Sequence, residues 1–145
     1  MSMAHDLFAP VLDCAGRPLT LDRPRVVGVV NVTPDSFSRD GTGSDVDKAV
    51  ALGVRMAEEG ADMLDVGGAS TRPGAGDVPV AEELRRVLPV IEQLVARTTL
   101  PISIDTSNPE VMRAAVAVGA GMINDVYALR RDGAMEAAAE LGMPV

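Results

Sequence analysis

Aromatic side chains are nearly absent from this chain of 145 residues, which has no tryptophan, one tyrosine and two phenylalanines. A core must therefore be built from Val, Leu, Ile, Ala and Met. The chain is 47% hydrophobic and 23% charged, so it has enough apolar surface to fold rather than stay disordered. The single cysteine, Cys14, excludes an internal disulfide and is typical of a reducing compartment. Its place before a glycine-containing turn predicts an inert thiol.

Basic residues are also scarce, since 13 Lys and Arg stand against 21 Asp and Glu and give a formal net charge of −8. This balance argues against a nucleic-acid partner, which needs clustered Lys and Arg. The amino-terminal residues have no basic segment followed by an apolar stretch, so they do not read as a signal peptide. No apolar run approaches the roughly 20 residues of a membrane span. We therefore expect a soluble cytoplasmic protein that binds neither nucleic acid nor membrane.

Short apolar runs alternate with amphipathic stretches along the chain. Residues 11–25 read as two short strands around an Ala-Gly turn, which predicts a β-hairpin. The following apolar runs are typical of strands that are covered on both faces. These strands are predicted at residues 26–30, 63–66, 101–104 and 122–124, and the helices that follow them start at residues 44, 80, 109 and 133.

Helix boundaries carry their own signals. Ser44 is expected to cap the first helix, Asn108 the third and Asp132 the fourth, which Gly142 stops. Pro89 lies inside the second helix, at residues 80–97, and predicts a kink there. The last two residues, Pro-Val, read as the start of a fifth strand.

This alternation predicts an α/β fold with a parallel sheet and right-handed crossovers. A doubly wound open sheet is one possibility. Polar residues at every strand end favour a (β/α)₈ barrel, which needs about 250 residues. Residues 1–145 would then be about half of a single barrel domain, with an extension and hairpin at residues 1–25. The chain stops inside a unit, so we expect a fragment or a truncated gene product.

Polar residues follow each predicted strand, as NVTPDS at residues 31–36, DVGGASTRPGAG at 65–76, DTSNP at 105–109 and NDV at 124–126. The carboxyl ends of parallel strands lie at one edge of a sheet, where ligands of such folds bind. We therefore expect six side chains to converge on one pocket: Asn31, Asp65, Thr71, Arg72, Asp105 and Asn124.

Each candidate has a structural and a functional interpretation. Asp105 could bind a ligand or anchor its loop, and Asp65 could contact a ligand or fix the turn after it. Asn31 offers an amide oxygen suited to Mg²⁺, or a purely structural group. Arg72 could grip a phosphate through two hydrogen bonds, or be a solvated loop charge. Asp125 is expected to support its loop. Carboxylate and amide groups without a nucleophile fit a flat, nitrogen-rich heterocycle such as an aminopyrimidinone.

In this order, the motifs NVTPDSFS, DVGGASTRPGA, PISIDTSNPEV and INDV resemble the successive signatures of the dihydropteroate synthase family. The likeness runs from the hairpin to the last residue. It implies a TIM barrel of folate biosynthesis, and a transferase that joins 4-aminobenzoate to 7,8-dihydropterin-6-ylmethyl diphosphate. The products of that reaction are 7,8-dihydropteroate and diphosphate.

The resemblance also implies roles for the candidates. Asn31 would coordinate the Mg²⁺ bound to the diphosphate. Thr71 and Arg72 would contact the substrate, with Arg72 close to the diphosphate. Asp105 and Asn124 would hydrogen-bond the pterin ring, and Arg72 and Asp105 would be the catalytic residues. The first two loops would fold over the site and help position 4-aminobenzoate, with Phe37 and Pro73 in its surroundings.

This chain also departs from the family pattern. Ala69 stands where the family usually has an acidic residue, and Tyr127 where a serine is more usual. The later family residues, a pterin-binding Asp, a Lys and an Arg/His pair, are absent, as are the helices of the usual homodimer. We therefore expect this chain alone to have negligible synthase activity. The alternatives are a non-catalytic pterin-binding module and an inactive fragment.

Overall fold

A computed structural model of the chain describes residues 9–33, 44–71 and 74–145. These residues form a two-stranded sheet and a four-stranded sheet with helices. The strands are β1 (Val11–Cys14), β2 (Arg17–Thr20), β3 (Val27–Asn31), β4 (Met63–Gly67), β5 (Ile102–Asp105) and β6 (Met122–Asn124). The helices are α1 (Ser44–Glu58), α2 (Val80–Arg97), α3 (Pro109–Ala117) and α4 (Ala134–Leu141).

The hairpin of β1 and β2 closes through a two-residue turn in which Ala15 and Gly16 have positive φ, 56° and 82°. Positive φ at both central residues is typical of a type I′ turn, whose twist matches the flanking strands. Asp13 Oδ1 accepts a hydrogen bond from the Gly16 N–H at 2.7 Å, which holds the turn. The predicted hairpin is confirmed, but its second strand ends at Thr20 rather than at residue 25.

The hairpin lies against the amino-terminal edge of the larger sheet. The Arg17 guanidinium donates to the backbone carbonyls of Val95, Thr98 and Leu100 at distances of 2.8 to 2.9 Å. Val95 lies in the last turn of α2, and Thr98 and Leu100 follow the helix, so one side chain joins the hairpin to the end of α2 and to the α2–β5 connection. Cys14 is buried in the apolar cluster beneath the sheet. Burial raises the pKa of its thiol, which agrees with an inert cysteine.

The larger sheet is parallel, with its strands in the order β3-β4-β5-β6. The backbone N–H of Ile123 donates to the carbonyl of Pro144 at 2.9 Å, so the chain returns beside β6, where a fifth strand was predicted. Strand order therefore follows chain order with no reversal. A doubly wound sheet reverses its order at a switch point, whereas a barrel does not. The sequential order is that of a half barrel.

Helices α1, α2 and α3 cover one face of this sheet. Alternate residues of each strand point toward them, as the period of a β-strand requires. The strand residues buried beneath the helices are Val30, Leu64, Val66, Ile102, Ile104 and Ile123. The opposite face of β3 is open, since Val27 and Val29 are 47% and 49% exposed.

The bounds of α2 are those predicted, and the helix continues through Pro89. The Asn108 side chain caps α3 by accepting from the Glu110 N–H at 2.9 Å, which confirms that prediction. The predicted cap at Asp132 is wrong. Gly133, with φ 81°, occupies the cap position of α4, and no side chain bonds the free N–H groups there. A left-handed residue cannot belong to the first helical turn, so the helix starts one residue later than predicted.

Gly142 ends α4 in a left-handed conformation, φ 63°, as its sequence position predicted. The side chain of Ser44, the predicted cap of α1, lies outside the described part of the chain. Within the described ranges, no helix is long and apolar enough to cross a membrane.

Candidate functional site

The register of the sheet aligns four residues at its carboxyl edge. Asn31 pairs with Gly67, Gly67 with Asp105, and Asp105 with Asn124. Residues that pair across neighbouring strands point to the same face. These residues alternate with the apolar ones that pack on the helices, so they point to the open face. The structure therefore brings three of the six predicted residues into one row.

A second row lies one pleat deeper, and Asp65 and Ser103 are paired in it. Asp65 is only 6% exposed. Its Oδ1 accepts from Ser103 Oγ at 2.5 Å, and its Oδ2 accepts from Asn124 Nδ2 at 3.1 Å. The interpretation of Asp65 as a turn residue is wrong, because both carboxylate oxygens bond side chains on neighbouring strands.

Asp105 occupies the middle of the upper row and is half-buried. Burial first, and then the negative charges of Asp65, Asp125 and Glu83, raise its pKa to about 6. Its neighbour in the row is a glycine for a steric reason. A Cβ at Gly67 would stand 3.2 Å from Asp105 Oδ2, close enough to displace that carboxylate. Because Gly67 has no side chain, the Asp105 carboxyl group keeps its position. A hydrogen-bond donor from a ligand would stabilise the ionised form of this group.

The loop that follows Asp105 is held by other side chains. Thr106 Oγ1 accepts from the Asn108 N–H at 3.1 Å, and Asn108 itself caps α3. The side chain that caps this helix is thus that of Asn108 and not that of Asp105. Asp125 supports its own loop as predicted, since its two oxygens accept from the N–H groups of Tyr127 and Leu129, each at 2.9 Å.

Glu83 is a site residue that the sequence analysis missed. It lies on α2, is 5% exposed, and accepts a hydrogen bond from Thr106 Oγ1 at 2.6 Å. Burial raises its pKa, and this hydrogen bond and the charges of Arg131 and Arg86 oppose the rise. Glu83 lies one turn before Val87 on the buried face of α2. A carboxylate on an otherwise apolar helix face was the feature of the sequence that could have identified it.

A cavity of about 100 Å³ opens beside Asp105. Thr71, exposed on the loop after β4, lines it together with Glu83, Tyr127 and Arg131. The guanidinium of Arg131 lies 4.6 Å from the ring centre of Tyr127, a cation–π contact. Arg72 falls outside the described residues, as do Phe37 and Pro73 of the two predicted loops.

Asn31 ends β3 with an exposed side chain. In the part of the chain that the structure describes, no group of three or more His, Cys, Asp or Glu is placed to hold a metal ion. Mg²⁺ commonly takes one or two protein ligands and completes its shell with water and phosphate oxygens. The amide oxygen of Asn31 is therefore compatible with a Mg²⁺ that would take its remaining ligands from water or a bound anion.

A sequential parallel sheet with helices on one face and polar side chains along its carboxyl edge defines part of a ligand-binding (β/α)₈ barrel. Comparison with known proteins makes this class more specific. The family model described as pterin binding enzyme matches residues 27–145. The chain belongs to this family.

Curated relatives are dihydropteroate synthases. The chain is 52% identical over 130 residues to the enzyme of Escherichia coli, a match that covers 90% of this chain and 46% of the relative. The dihydropteroate synthase of Haemophilus influenzae is 46% identical over 127 residues, covering 88% and 46%. The chain thus spans about half the length of these relatives and resembles their amino-terminal half.

Solved structures of dihydropteroate synthases also match this chain. Dihydropteroate synthase of Xanthomonas albilineans with 4-aminobenzoic acid superposes with a TM-score of 0.91 at 72% identity. The match covers 94% of this chain and 50% of that one. The same enzyme in complex with 7,8-dihydropteroate gives a TM-score of 0.85 at 68% identity, covering 94% and 49%. These matches confirm the resemblance inferred from the four motifs and the half-barrel fold.

Proposed function

We propose that this chain supplies the amino-terminal half of a dihydropteroate synthase barrel. The complete barrel would join 4-aminobenzoate to 7,8-dihydropterin-6-ylmethyl diphosphate, in the cytoplasm and as a homodimer. One observation carries the proposal: the sheet register places Asn31, Asp105 and Asn124 in one row at the carboxyl edge. The solved relatives bind 4-aminobenzoic acid and 7,8-dihydropteroate, which supports these substrates.

Asp105 and Asn124 would form the pterin end of the site. A pterin presents ring N–H and amino groups along one edge, and a carboxylate beside an amide can match such an edge with two or more hydrogen bonds. The raised pKa of Asp105 supports this role, because burial and like charges destabilise its ionised form. Hydrogen-bond donors of a bound pterin would stabilise the ionised carboxylate, and this would contribute favourably to the free energy of binding.

The diphosphate end would involve Thr71, Arg72 and Asn31. Thr71 lines the cavity beside Asp105 with an exposed side chain. Arg72 follows it in the sequence, and a guanidinium suits a diphosphate through paired hydrogen bonds. Asn31 would contribute one oxygen to a Mg²⁺ that, when bound with the diphosphate, neutralises charge on the leaving group.

The proposed reaction is a substitution at the exocyclic methylene carbon of the pterin. The amine nitrogen of 4-aminobenzoate forms a bond to that carbon while the carbon–oxygen bond to diphosphate breaks. The departing diphosphate takes the electron pair, and the amine loses a proton to solvent. Such a step needs orientation of the two substrates and stabilisation of the leaving group, and it needs no protein nucleophile.

The first test is a calorimetric titration of the chain with the pterin diphosphate in the presence of Mg²⁺. Replacing Asp105 with Asn is expected to weaken binding about 10- to 100-fold, because a charged hydrogen-bond acceptor is lost. The matched control is E110Q, which removes an exposed carboxylate at the start of α3. Absence of pterin binding to the wild-type chain, or equal binding by D105N, contradicts the proposal.

A diphosphate-release assay with 4-aminobenzoate then separates the candidate functions. Turnover that depends on both substrates identifies the transferase activity. Pterin binding without turnover identifies a non-catalytic pterin-binding module, which the half-length match leaves as the alternative. We expect binding without appreciable turnover for this chain alone, since the second half of the barrel supplies the rest of the pocket wall.

A further inference from the structure

The hydrogen bonds around Asp65 determine which atom of Asn124 faces the site. Asp65 lies on the open face of β4, one row below the carboxyl edge, and is nearly inaccessible to solvent. Ser103 is buried to the same degree, with 2% exposure, and its hydroxyl donates to Asp65 Oδ1. Asn124 Nδ2 donates to Asp65 Oδ2. Both oxygens of this carboxylate are therefore engaged by side chains of β5 and β6.

A carboxylate only accepts hydrogen bonds, whereas an asparagine amide carries a donor on one side and an acceptor on the other. The side of the Asn124 amide that faces Asp65 must therefore be the NH₂ group. Because the amide is planar, its carbonyl oxygen Oδ1 points away from Asp65. Since Asp65 lies one row below Asn124, that direction leads toward the carboxyl edge, in the row that Asn124 shares with Asp105.

We propose that Asp65 is a positioning residue that orients the Asn124 amide, so that the site presents two neighbouring acceptors, Asn124 Oδ1 and the Asp105 carboxylate. The ligand edge that fits this pair is one that carries N–H donors at adjacent positions. That the ligand is a pterin rests on the function proposed above. The orientation of the amide does not depend on it.

The variant D65N tests the orientation with little change in volume. Its new amide oxygen can still accept from Ser103, but its new NH₂ group would face the NH₂ group of Asn124. Two donors cannot bond each other, so in that arrangement the Asn124 amide turns over and presents its NH₂ group to the ligand. The new amide can instead turn over itself and donate to Ser103 Oγ, which also accepts hydrogen bonds, but its neutral oxygen then holds the Asn124 NH₂ group less strongly than the carboxylate does. The double variant D65N/N124D reverses this, because a carboxylate at 124 accepts from the new amide and again offers an oxygen to the site.

Affinity is measured by calorimetric titration of the chain with 6-hydroxymethylpterin. We expect D65N to lose at least about tenfold in affinity, and the double variant to recover most of that loss. S103A is the matched control. It removes the other hydrogen bond of the Asp65 carboxylate and leaves the bond to Asn124, so its affinity should stay within about threefold of the wild type.

The side-chain amide protons of Asn124 supply a readout that needs no ligand. In the wild-type chain and in S103A, NMR should show them exchanging slowly with solvent, and in D65N exchanging quickly. Slow exchange in the wild type without any pterin binding would overturn the proposed function and leave the orientation standing.

Two outcomes would overturn the positioning role. The first is fast exchange of the Asn124 amide protons in the wild-type chain, a measurement that remains available should D65N fail to fold. The second is a double variant that folds like D65N yet recovers no affinity, which is the behaviour expected if Asp65 only stabilises the sheet.

Discussion

Two aspartates at opposite edges of the parallel sheet have opposite environments. At the amino-terminal edge, Asp62 accepts from the Val26 N–H at 2.9 Å and from Arg23 and Arg25 at 2.7 and 3.2 Å. The Val26 hydrogen bond, followed by that from Arg23, lowers its pKa to about 2. At the carboxyl edge, burial first and then three negative charges raise the pKa of Asp105 to about 6.

These opposite pKa shifts distinguish a carboxylate that stabilises the fold from one that is available to a ligand. Asp62 is fully satisfied by its own chain, and its bonds join the segment before β3 to the start of β4. Asp105 has a destabilised carboxylate at the edge where the polar row lies, which a ligand could stabilise. Stabilising ion pairs at one end and unfavourable charges at the other are what a (β/α)₈ barrel shows when its carboxyl end holds the site.

The largest effect on stability is expected at the amino-terminal edge, from R17A. This change leaves three carbonyls, one in the last turn of α2 and two in the connection after it, without their charged donor. Hydrogen bonds to charged groups contribute about 1.5–3 kcal/mol each and are not additive here, so we expect a loss of about 3 kcal/mol in urea unfolding.

R113A is the matched control for R17A, because its ion pair with Glu140 at 3.1 Å is exposed. It should change the free energy of unfolding by less than about 0.5 kcal/mol. If the two variants lose equal stability, Arg17 is not an anchor of the hairpin and the contrast between the two edges weakens.

D105N should have the next largest effect, and in the opposite direction. The folded state raises the pKa of Asp105 from 3.8 to about 6, so it holds the proton more tightly than the unfolded chain does. Wild-type stability should therefore fall as pH rises from about 4 to about 6, by about 2 kcal/mol for this half-buried group.

Because D105N has no ionisable group at this position, it should be more stable than the wild type above pH 6 and nearly equal to it below pH 4. Thermal unfolding across this pH range, with E110Q as the control, measures the difference. A D105N variant that is less stable than the wild type at neutral pH would show that the carboxylate is structural, as Asp62 is.

D62N is expected to give the smallest effect, since Arg23 is largely exposed and salt screens its charge. The folded state lowers the pKa of Asp62 from 3.8 to about 2. Its stabilisation is therefore complete above the unfolded value and is lost as pH falls toward 2. D62N should be less stable than the wild type at neutral pH, should approach it in acid, and should show a smaller difference in high salt.

Local signals in the sequence account for most of the elements. Apolar runs marked the four parallel strands to within one residue at each end, and the stripe through Val87 and Leu94 marked α2. Asn108 before Pro109 was recognisable as a cap because both residues act within a single turn. The prediction of a cap at Asp132 was wrong because the backbone conformation of Gly133, which depends on the surrounding loop, determines where α4 begins.

The site was predictable to the extent that it follows from strand ends. Asn31, Asp105 and Asn124 each end a strand, so a parallel sheet brings them to one edge. Glu83 and the partners of Asp65 were not predictable in this way. Glu83 meets Thr106 only because α2 packs beside β5, and Asp65 lies near Asn124, 59 positions further along the chain, only through two strand pairings.

Local patterns in the sequence were enough to predict the strands and helices, the parallel sheet and the edge that carries the polar residues, and the order of the motifs was enough to predict the family. These depend on interactions within a few residues or on the order of the motifs. Packing between distant segments, in contrast, was needed to establish which side chains share a row, which carboxylate is stabilised, and which side of the Asn124 amide faces Asp65. Register and burial are set by contacts between distant segments, and they determine the dielectric environment and the hydrogen-bond partners of every charged group in the site.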